Sequence, residues 1–307
     1  MNFLKLPCLL PILLVVASSA IAFPYPPEID GAKEFVYKKT PKGELKLWVF
    51  SPKGHCESKT APALVFFFGG GWKGGSPAQF VKQCEYLASR GMVAITADYR
   101  VLSRHQTKAD ACVKDGKSAV RWIRENASRL GVDPNRIAAG GGSAGGHVAA
   151  AVGIIDGFEE CGEDLEVSSK PDALLLFNPA VTLMSIPGKY DFPALKEVGM
   201  AIRTGVEPKL ISPYHHIRQE LPPTIIFHGT KDSAVDYQTV VLFEKEMKKY
   251  GNHCQLVSFP DQPHGFFNYG RFQNKNFRKT MESADQFLNE LGWLKGSPSI
   301  DKFLSQN

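Results

Sequence analysis

Short apolar runs bounded by turn residues recur along the chain, and between them lie longer stretches in which apolar residues return every three to four positions. β-Branched and aromatic enrichment predicts strands near 34–39, 44–51, 63–68, 92–97, 136–140, 172–177, 223–228 and 254–259. A helical period, visible in Val113, Ala119, Val120, Ile123 and Leu130, predicts helices near 77–90, 109–130, 144–155, 236–250 and 276–291. Strands alternating with helices imply an α/β fold: a mostly parallel sheet of about eight strands covered by helices on both faces, with the early pair 34–51 as an antiparallel start. The rhythm breaks over 178–217, which opens with Asn178-Pro179, holds one helical stretch near 191–203 and closes with Ser212-Pro213.

Composition narrows the setting. The 307 residues are 43% hydrophobic and carry a formal net charge of +5, which suits one large globular domain. Basic residues form no run longer than a pair such as Lys248-Lys249, so no nucleic-acid partner is expected. Residues 1–22 stand apart: Lys5 is followed by an apolar stretch from Leu9 to Ala17 and by Ala20-Ile21-Ala22, an A-x-A cleavage signature. Pro7 and Pro11 break that stretch, which is short for a membrane span, so a cleaved signal peptide is expected in place of an anchor. The mature chain, 23–307, is then a single secreted or periplasmic domain with no stable membrane span. Cys8 falls inside the signal and lacks the small residues of a lipobox before it.

Five cysteines remain, Cys56, Cys84, Cys112, Cys161 and Cys254. Export permits disulfides, and the odd number leaves at least one thiol free or paired between chains. None has C-x-x-C or Cys/His spacing, so no metal site is expected. Asn126-Ala127-Ser128 is a glycosylation acceptor only in a eukaryotic source.

The chemistry concentrates at strand ends. Gly141-Gly142-Ser143-Ala144-Gly145 follows the apolar run Arg136 to Gly140 and precedes a helix-forming stretch, the setting in which a strained turn presents a serine hydroxyl. Asp232 follows the strand Pro223 to Phe227, and His264 follows the strand Cys254 to Phe259. Serine, then aspartate, then histidine, each just past a strand, is the chain order of a catalytic triad on such a sheet. Upstream, the apolar run Ala63 to Phe68 leads into Gly69-Gly70-Gly71-Trp72.

Taken together, Phe68-Gly69-Gly70-Gly71-Trp72, Gly141-Gly142-Ser143-Ala144-Gly145-Gly146-His147, His228-Gly229-Thr230-Lys231-Asp232 and Pro263-His264-Gly265-Phe266 resemble the carboxylesterases and lipases related to hormone-sensitive lipase. The resemblance covers nearly all of the mature chain. It implies an α/β-hydrolase fold, a serine esterase without cofactor, and Ser143, His264 and Asp232 as nucleophile, base and orienting acid. It assigns the oxyanion donors to the backbone N–H groups of Gly70, Gly71 and Ala144. Phe68 departs from the family, whose relatives commonly carry histidine there, so a side-chain contact that steadies the loop is expected to be missing. The insertion 178–217 would lie over the site as a small cap. With little chain before the first strand, N-terminal cap helices are not expected, and an open site favours short-acyl esters, with acetylated saccharides as one class.

Gly69, Gly71 and Gly74, and again Gly140, Gly142 and Gly145, satisfy G-x-G-x-x-G, and Asp98 ends a strand where a ribose-binding acid could stand. Ser76 as N-cap and Pro77 as first helical residue start the next helix too late for a pyrophosphate to meet its N-terminus. His228, His215 and His216 read as packing residues, and Asp236 as the negative charge at the start of the following helix. Trp72, Tyr99, Phe266 and Phe267 adjoin the motif loops, where they line the substrate pocket or belong to the core. The rival functions are a serine peptidase or amidase of the prolyl-oligopeptidase type, which shares the elbow and the triad order, and a non-catalytic binding protein on the same fold.

Overall fold

The computed structural model describes residues 25–306, so the signal peptide expected over residues 1–22, with Cys8 inside it, lies outside the described residues. Eight strands form one sheet: β1 (Lys33–Thr40), β2 (Gly43–Phe50), β3 (Ala61–Phe67), β4 (Val93–Ala97), β5 (Val132–Gly142), β6 (Ala173–Phe177), β7 (Thr224–Gly229) and β8 (Cys254–Phe259). Their spatial order is β1-β2-β4-β3-β5-β6-β7-β8. β1 pairs antiparallel with β2, and β2 with β4, while every later pairing is parallel. This is the α/β-hydrolase arrangement, with the antiparallel start confined to one edge.

The helices among the described residues are α1 (Val81–Ser89), α2 (Leu102–His105), α3 (Ala109–Glu125), α4 (Ala127–Leu130), α5 (Ala144–Ile154), α6 (Ala194–Thr204), α7 (Tyr237–Lys249), α8 (Lys275–Glu290) and α9 (Ile300–Ser305). β3, β4 and β6 are buried along their whole length, as strands covered on both faces must be, and so read as continuous apolar runs. Alternation along β3 sends Ala63, Val65 and Phe67 to the face packed by α3, α5 and α7, and Leu64 and Phe66 to the face packed by α1, α8 and α9. Two apolar cores result, one on each side of the sheet.

The expected elements are present with local differences. The stretch near 77–90 opens as a 3-10 turn, Pro77–Phe80, capped by the Ser76 hydroxyl on the Ala78 N–H, before α1 begins. The stretch 109–130 divides at Asn126, whose side-chain amide donates to the Trp122 carbonyl at 2.9 Å. α2 and α9 were not expected, because four and six residues are too few to display a period. Over 178–217 the chain forms α6 and two 3-10 turns, Pro208–Ile211 and Pro213–His216. The five described cysteines are all free thiols, with Cys84, Cys112 and Cys254 buried and their thiol pKa values raised by that burial.

Candidate active site

Ser143 occupies the turn between β5 and α5 with φ 55° and ψ −117°, a region costly for a residue with a Cβ. The surrounding glycines are forced by close approach. A Cβ on Gly141 would lie 2.5 Å from the Phe67 carbonyl oxygen, and one on Gly145 would lie 2.0 Å from the same oxygen. Backbone bonds hold the turn: the Ser143 N–H donates to the Phe177 carbonyl at 2.9 Å, and the Ser143 carbonyl accepts from the His147 N–H at 2.9 Å.

The loops after β7 and β8 bring Asp232 and His264 to this serine. His264 Nε2 lies 3.0 Å from Ser143 Oγ, and its Nδ1 lies 2.7 Å from Asp232 Oδ2. An ionised carboxylate only accepts, so Nδ1 carries the ring proton and Nε2 presents its lone pair to the serine hydroxyl. The other carboxylate oxygen, Oδ1, accepts from the N–H groups of Ala234 and Val235, both at 2.9 Å. Burial works to raise the Asp232 carboxyl, but the His264 hydrogen bond, the Val235 N–H and the neighbouring imidazoles outweigh it and hold the group below the usual carboxylate range.

His228 is fully buried beside this pair, its Nε2 3.0 Å from the Val235 carbonyl oxygen and 3.4 Å from Asp232 Oδ2. It braces the acid-bearing turn and is kept neutral by burial. Asp236, four residues on, instead caps α7 by accepting from the Gln238 N–H at 2.9 Å, and it receives the Tyr190 hydroxyl at 3.1 Å.

Gly70 and Gly71 adopt φ of 130° and 63° in the loop after β3, and Ala144 is the first residue of α5, where an N–H has no intrahelical acceptor. None of the hydrogen bonds of the described residues uses the Gly70 or Gly71 N–H. Phe68 does stand where a histidine was expected, yet the loop is well held. Tyr99 stacks on the Phe68 ring at 4.2 Å and donates its hydroxyl to the Phe68 carbonyl at 2.6 Å. Gln79 accepts from the Gly69 N–H at 2.6 Å and donates to Asn268 at 2.9 Å, and Asn268 in turn donates to the Gly265 carbonyl at 2.9 Å. Gly69 and the His264 loop are thereby joined through two side-chain amides.

Trp72 supplies a third tether. Its indole N–H donates to His147 Nδ1 at 3.2 Å, and His147 Nε2 lies 2.6 Å from the Ile211 carbonyl oxygen. An indole nitrogen can only donate, so the proton of His147 sits on Nε2 and goes to Ile211. One buried imidazole therefore connects the glycine loop, α5 and the exit of the 178–217 segment. Sequence reasoning did not single out Gln79 or Asn268, because amides carry no motif of their own, and it met His147 only as the last residue of the serine motif, without its tethering role.

A cavity of about 460 Å³ opens on Ser143 and His264, lined also by Trp72, Phe267, Asn268 and Arg271, and by Met200 and Arg203 of α6. The 178–217 segment thus covers the site as a cap would. Of the aromatics expected at the pocket, Trp72 is there, but Tyr99 and Phe266 are not. Tyr99 is wholly buried because its ring and hydroxyl support Phe68, and Phe266 is wholly buried because the turn after His264 packs it onto Phe259 in the core, while its neighbour Phe267 lines the cavity. A second cavity of about 310 Å³ adjoins through Ala180, Met200, Arg203, Ala234 and Val235, and continues to Tyr190, Phe192 and Asp236.

His215 and His216 pack on Ser212 and on the Lys209 carbonyl. Asp98 is buried and engaged by Arg104, the Tyr25 hydroxyl and the Tyr99 N–H, so it faces no ribose site; burial raises its carboxyl to about 6. Among the described residues no group of three or more His, Cys, Asp or Glu is arranged to hold a metal ion, and no helix is long and apolar enough to cross a membrane.

Residues 48–247 match the BD-FAE family, a span that contains the glycine loop, Ser143 and Asp232. The chain belongs to this family. A second match, to the dienelactone hydrolase family, covers residues 205–295 and so includes both Asp232 and His264. A solved structure of the Thermogutta terrifontis esterase Est2 with butyrate bound is 52% identical, with a TM-score of 0.85 over 89% of this chain and 100% of that one. Esterase LipC of Mycobacterium tuberculosis is 26% identical over 251 residues, covering 76% of this chain and 59% of LipC. An acetylxylan esterase of Xylanibacter ruminicola is 26% identical over 276 residues, covering 87% of this chain and 52% of that enzyme. The chain thus spans between half and three fifths of the length of the curated relatives it matches first.

In this BD-FAE member the tether through His147 has a pH signature. Burial holds the imidazole down to about 4 from an ordinary 6.5, with the Ile211 contact working the other way. Between about 6.5 and about 4 the unfolded chain binds a proton that the folded chain refuses, so stability present above this window is lost as the pH falls through it. Urea unfolding across that range is expected to show His147→Gln less acid-sensitive than the parent by roughly 3 kcal/mol. Parallel pH profiles for the two proteins would show that His147 is not held neutral by the fold.

Proposed function

We propose that the chain is an exported serine carboxylesterase acting on short-acyl esters, acetylated saccharides among them. The observation that carries the reading is the line from Ser143 Oγ to His264 Nε2 at 3.0 Å and from His264 Nδ1 to Asp232 at 2.7 Å, beside unengaged backbone N–H groups. As Ser143 Oγ attacks the ester carbonyl carbon, His264 takes its proton, and the negative charge passes to the carbonyl oxygen within reach of the N–H groups of Gly70, Gly71 and Ala144. Asp232 holds the imidazole in the tautomer that can accept and stabilises the imidazolium. Collapse breaks the bond to the alcohol oxygen, which leaves with the proton from His264. Water, deprotonated by the same imidazole, then releases the acid and restores Ser143.

The names of the relatives support the ester over the amide. The butyrate in the Thermogutta structure supports a short acyl group, and the acetylxylan esterase supports the saccharide class. Export rests on the Ala20-Ile21-Ala22 signature alone.

Intact-mass spectrometry of the protein secreted by an exporting host, after treatment with a fluorophosphonate, tests both claims. The expected species begins at Phe23 and carries one adduct, which Ser143→Ala abolishes together with turnover. An adduct that survives the substitution would remove Ser143 from the mechanism, and retention of residues 1–22 would remove the export claim.

Across p-nitrophenyl esters, kcat/KM is expected to be greatest between acetate and butyrate. Each further CH₂ left unburied forgoes about 0.8 kcal/mol of binding. A steady climb to palmitate would end the short-acyl reading. Acetylated xylan oligosaccharides should release acetate, whereas unchanged oligosaccharides would remove the saccharide class.

The two acids near the site are separable. Asp232→Asn is expected to lower kcat by roughly 10³–10⁴ through loss of the working tautomer. Asp236→Asn, at the start of α7, should cost less than about 1 kcal/mol of stability and little rate. Steady-state kinetics with thermal melts decide, and a large rate loss in the Asp236 variant alone would reverse the two roles.

A further inference from the structure

Of the arginines in the described residues, Arg129, Arg203 and Arg271 are those with no carboxylate at ion-pair distance. Arg129 lies over the Phe35 ring, and the other two line the Ser143 cavity. They come from separate elements: Arg203 from α6 of the cap, Arg271 from the loop after His264. Arg271 Nη1 donates to the carbonyls of His264 and Gly265, both at 3.2 Å, which orients the guanidinium without neutralising it.

No Asp or Glu lines this cavity. Two carboxylates adjoin it, each held by other donors. The Asp232 side chain is fully buried behind His264, and Asp236, in the adjoining cavity, is engaged by the Gln238 N–H and the Tyr190 hydroxyl. The cavity that opens on Ser143 is therefore lined by two guanidinium groups with no carboxylate at ion-pair distance, in a protein whose other arginines end almost without exception on an acid. Guanidinium presents a planar fork of donors that matches a carboxylate, and a cleft of one charge sign concentrates ligands of the other.

We propose that this cavity selects esters bearing a free carboxylate, with Arg203 and Arg271 as the specificity-determining residues. The inference rests on the ester-hydrolase reading above. Half-esters of dicarboxylic acids carry the charge on the acyl side, and esters of hydroxy or uronic acids carry it on the alcohol side. The chemistry recognised is the same, so a substrate pair for each side tells them apart.

The acyl arm compares mono-4-nitrophenyl adipate with 4-nitrophenyl methyl adipate. The alcohol arm compares 3-(4-acetoxyphenyl)propanoate with its methyl ester. In at least one arm the acid is expected to exceed its neutral partner in kcat/KM by about tenfold at low ionic strength, chiefly through KM, with the ratio shrinking as salt is added. The ratio should fall to about one in the double variant Arg203→Gln/Arg271→Gln and persist in part in Arg203→Lys/Arg271→Lys, which keeps the charge and loses the fork. Using the ratio within each protein removes any change in overall rate or folded fraction. A ratio of one or less in both arms of the parent protein, or a ratio that survives the double glutamine variant, overturns the proposal.

Should neither neutral nor acid ester be turned over, the esterase reading fails and calorimetry decides the anion site separately. Adipate should then bind the parent about tenfold more tightly than the double glutamine variant, and equal binding of the two proteins overturns the proposal.

Discussion

The start of α5 lies so close to the end of β3 that no side chain fits between them, and much of the site depends on that contact. Gly145 meets the Phe67 carbonyl where a Cβ would stand 2.0 Å away, and Gly141 meets it from the other limb of the turn at 2.5 Å. Both limbs are pressed against β3, and Ser143, at the turn between them, takes φ 55°. The same proximity sets the end of β3, and therefore the loop of Gly69 to Gly71, beside the serine. Strain at one residue is offset by burial on both faces of the sheet, where β3, β4 and β6 contribute almost wholly apolar positions.

The glycine loop depends on three supports that reach it from different parts of the fold. Tyr99 at the end of β4 holds Phe68, Gln79 holds Gly69, and His147 holds Trp72. Each support is fixed a second time: Tyr99 by stacking, Gln79 by Asn268, and His147 by Ile211. Donors aimed at a developing charge are effective only if they need not reorganise when it forms, and doubly anchored supports meet that condition. A phenylalanine at position 68 is compatible with such a loop because its ring is one half of the Tyr99 stack.

Much of this was legible in the sequence. The central strands β3, β4 and β6 show as apolar runs because a sheet buried on both faces leaves them no polar alternation, and Ser143, Asp232 and His264 show because each follows a strand in a loop of small or polar residues. What could not be read has physical causes as well. Tyr99 and Phe266 adjoin motif residues in sequence, but loop geometry turns their rings onto Phe68 and Phe259 in the core, so adjacency to a site residue does not bring a ring to the site. Gln79 and Asn268 act through a contact 189 residues apart, which no local pattern encodes. The break at Asn126 follows from one amide bonding back to the preceding turn, too small a signal to interrupt the apolar period around it.

The cap is tied to the catalytic machinery more closely than its sequence suggests. Its exit, at Ile211, is the acceptor for the imidazole that holds Trp72, and its helix α6 places Met200 and Arg203 over the serine. A displacement of the segment would therefore act at two points: on the shape and charge of the cavity, and, through His147 and Trp72, on the glycine loop beside Ser143. The imidazole transmits this only while neutral, because a second proton at Nδ1 would oppose the indole N–H that it now accepts. Burial of His147 is thus the condition that lets one side chain serve loop, helix and cap at once.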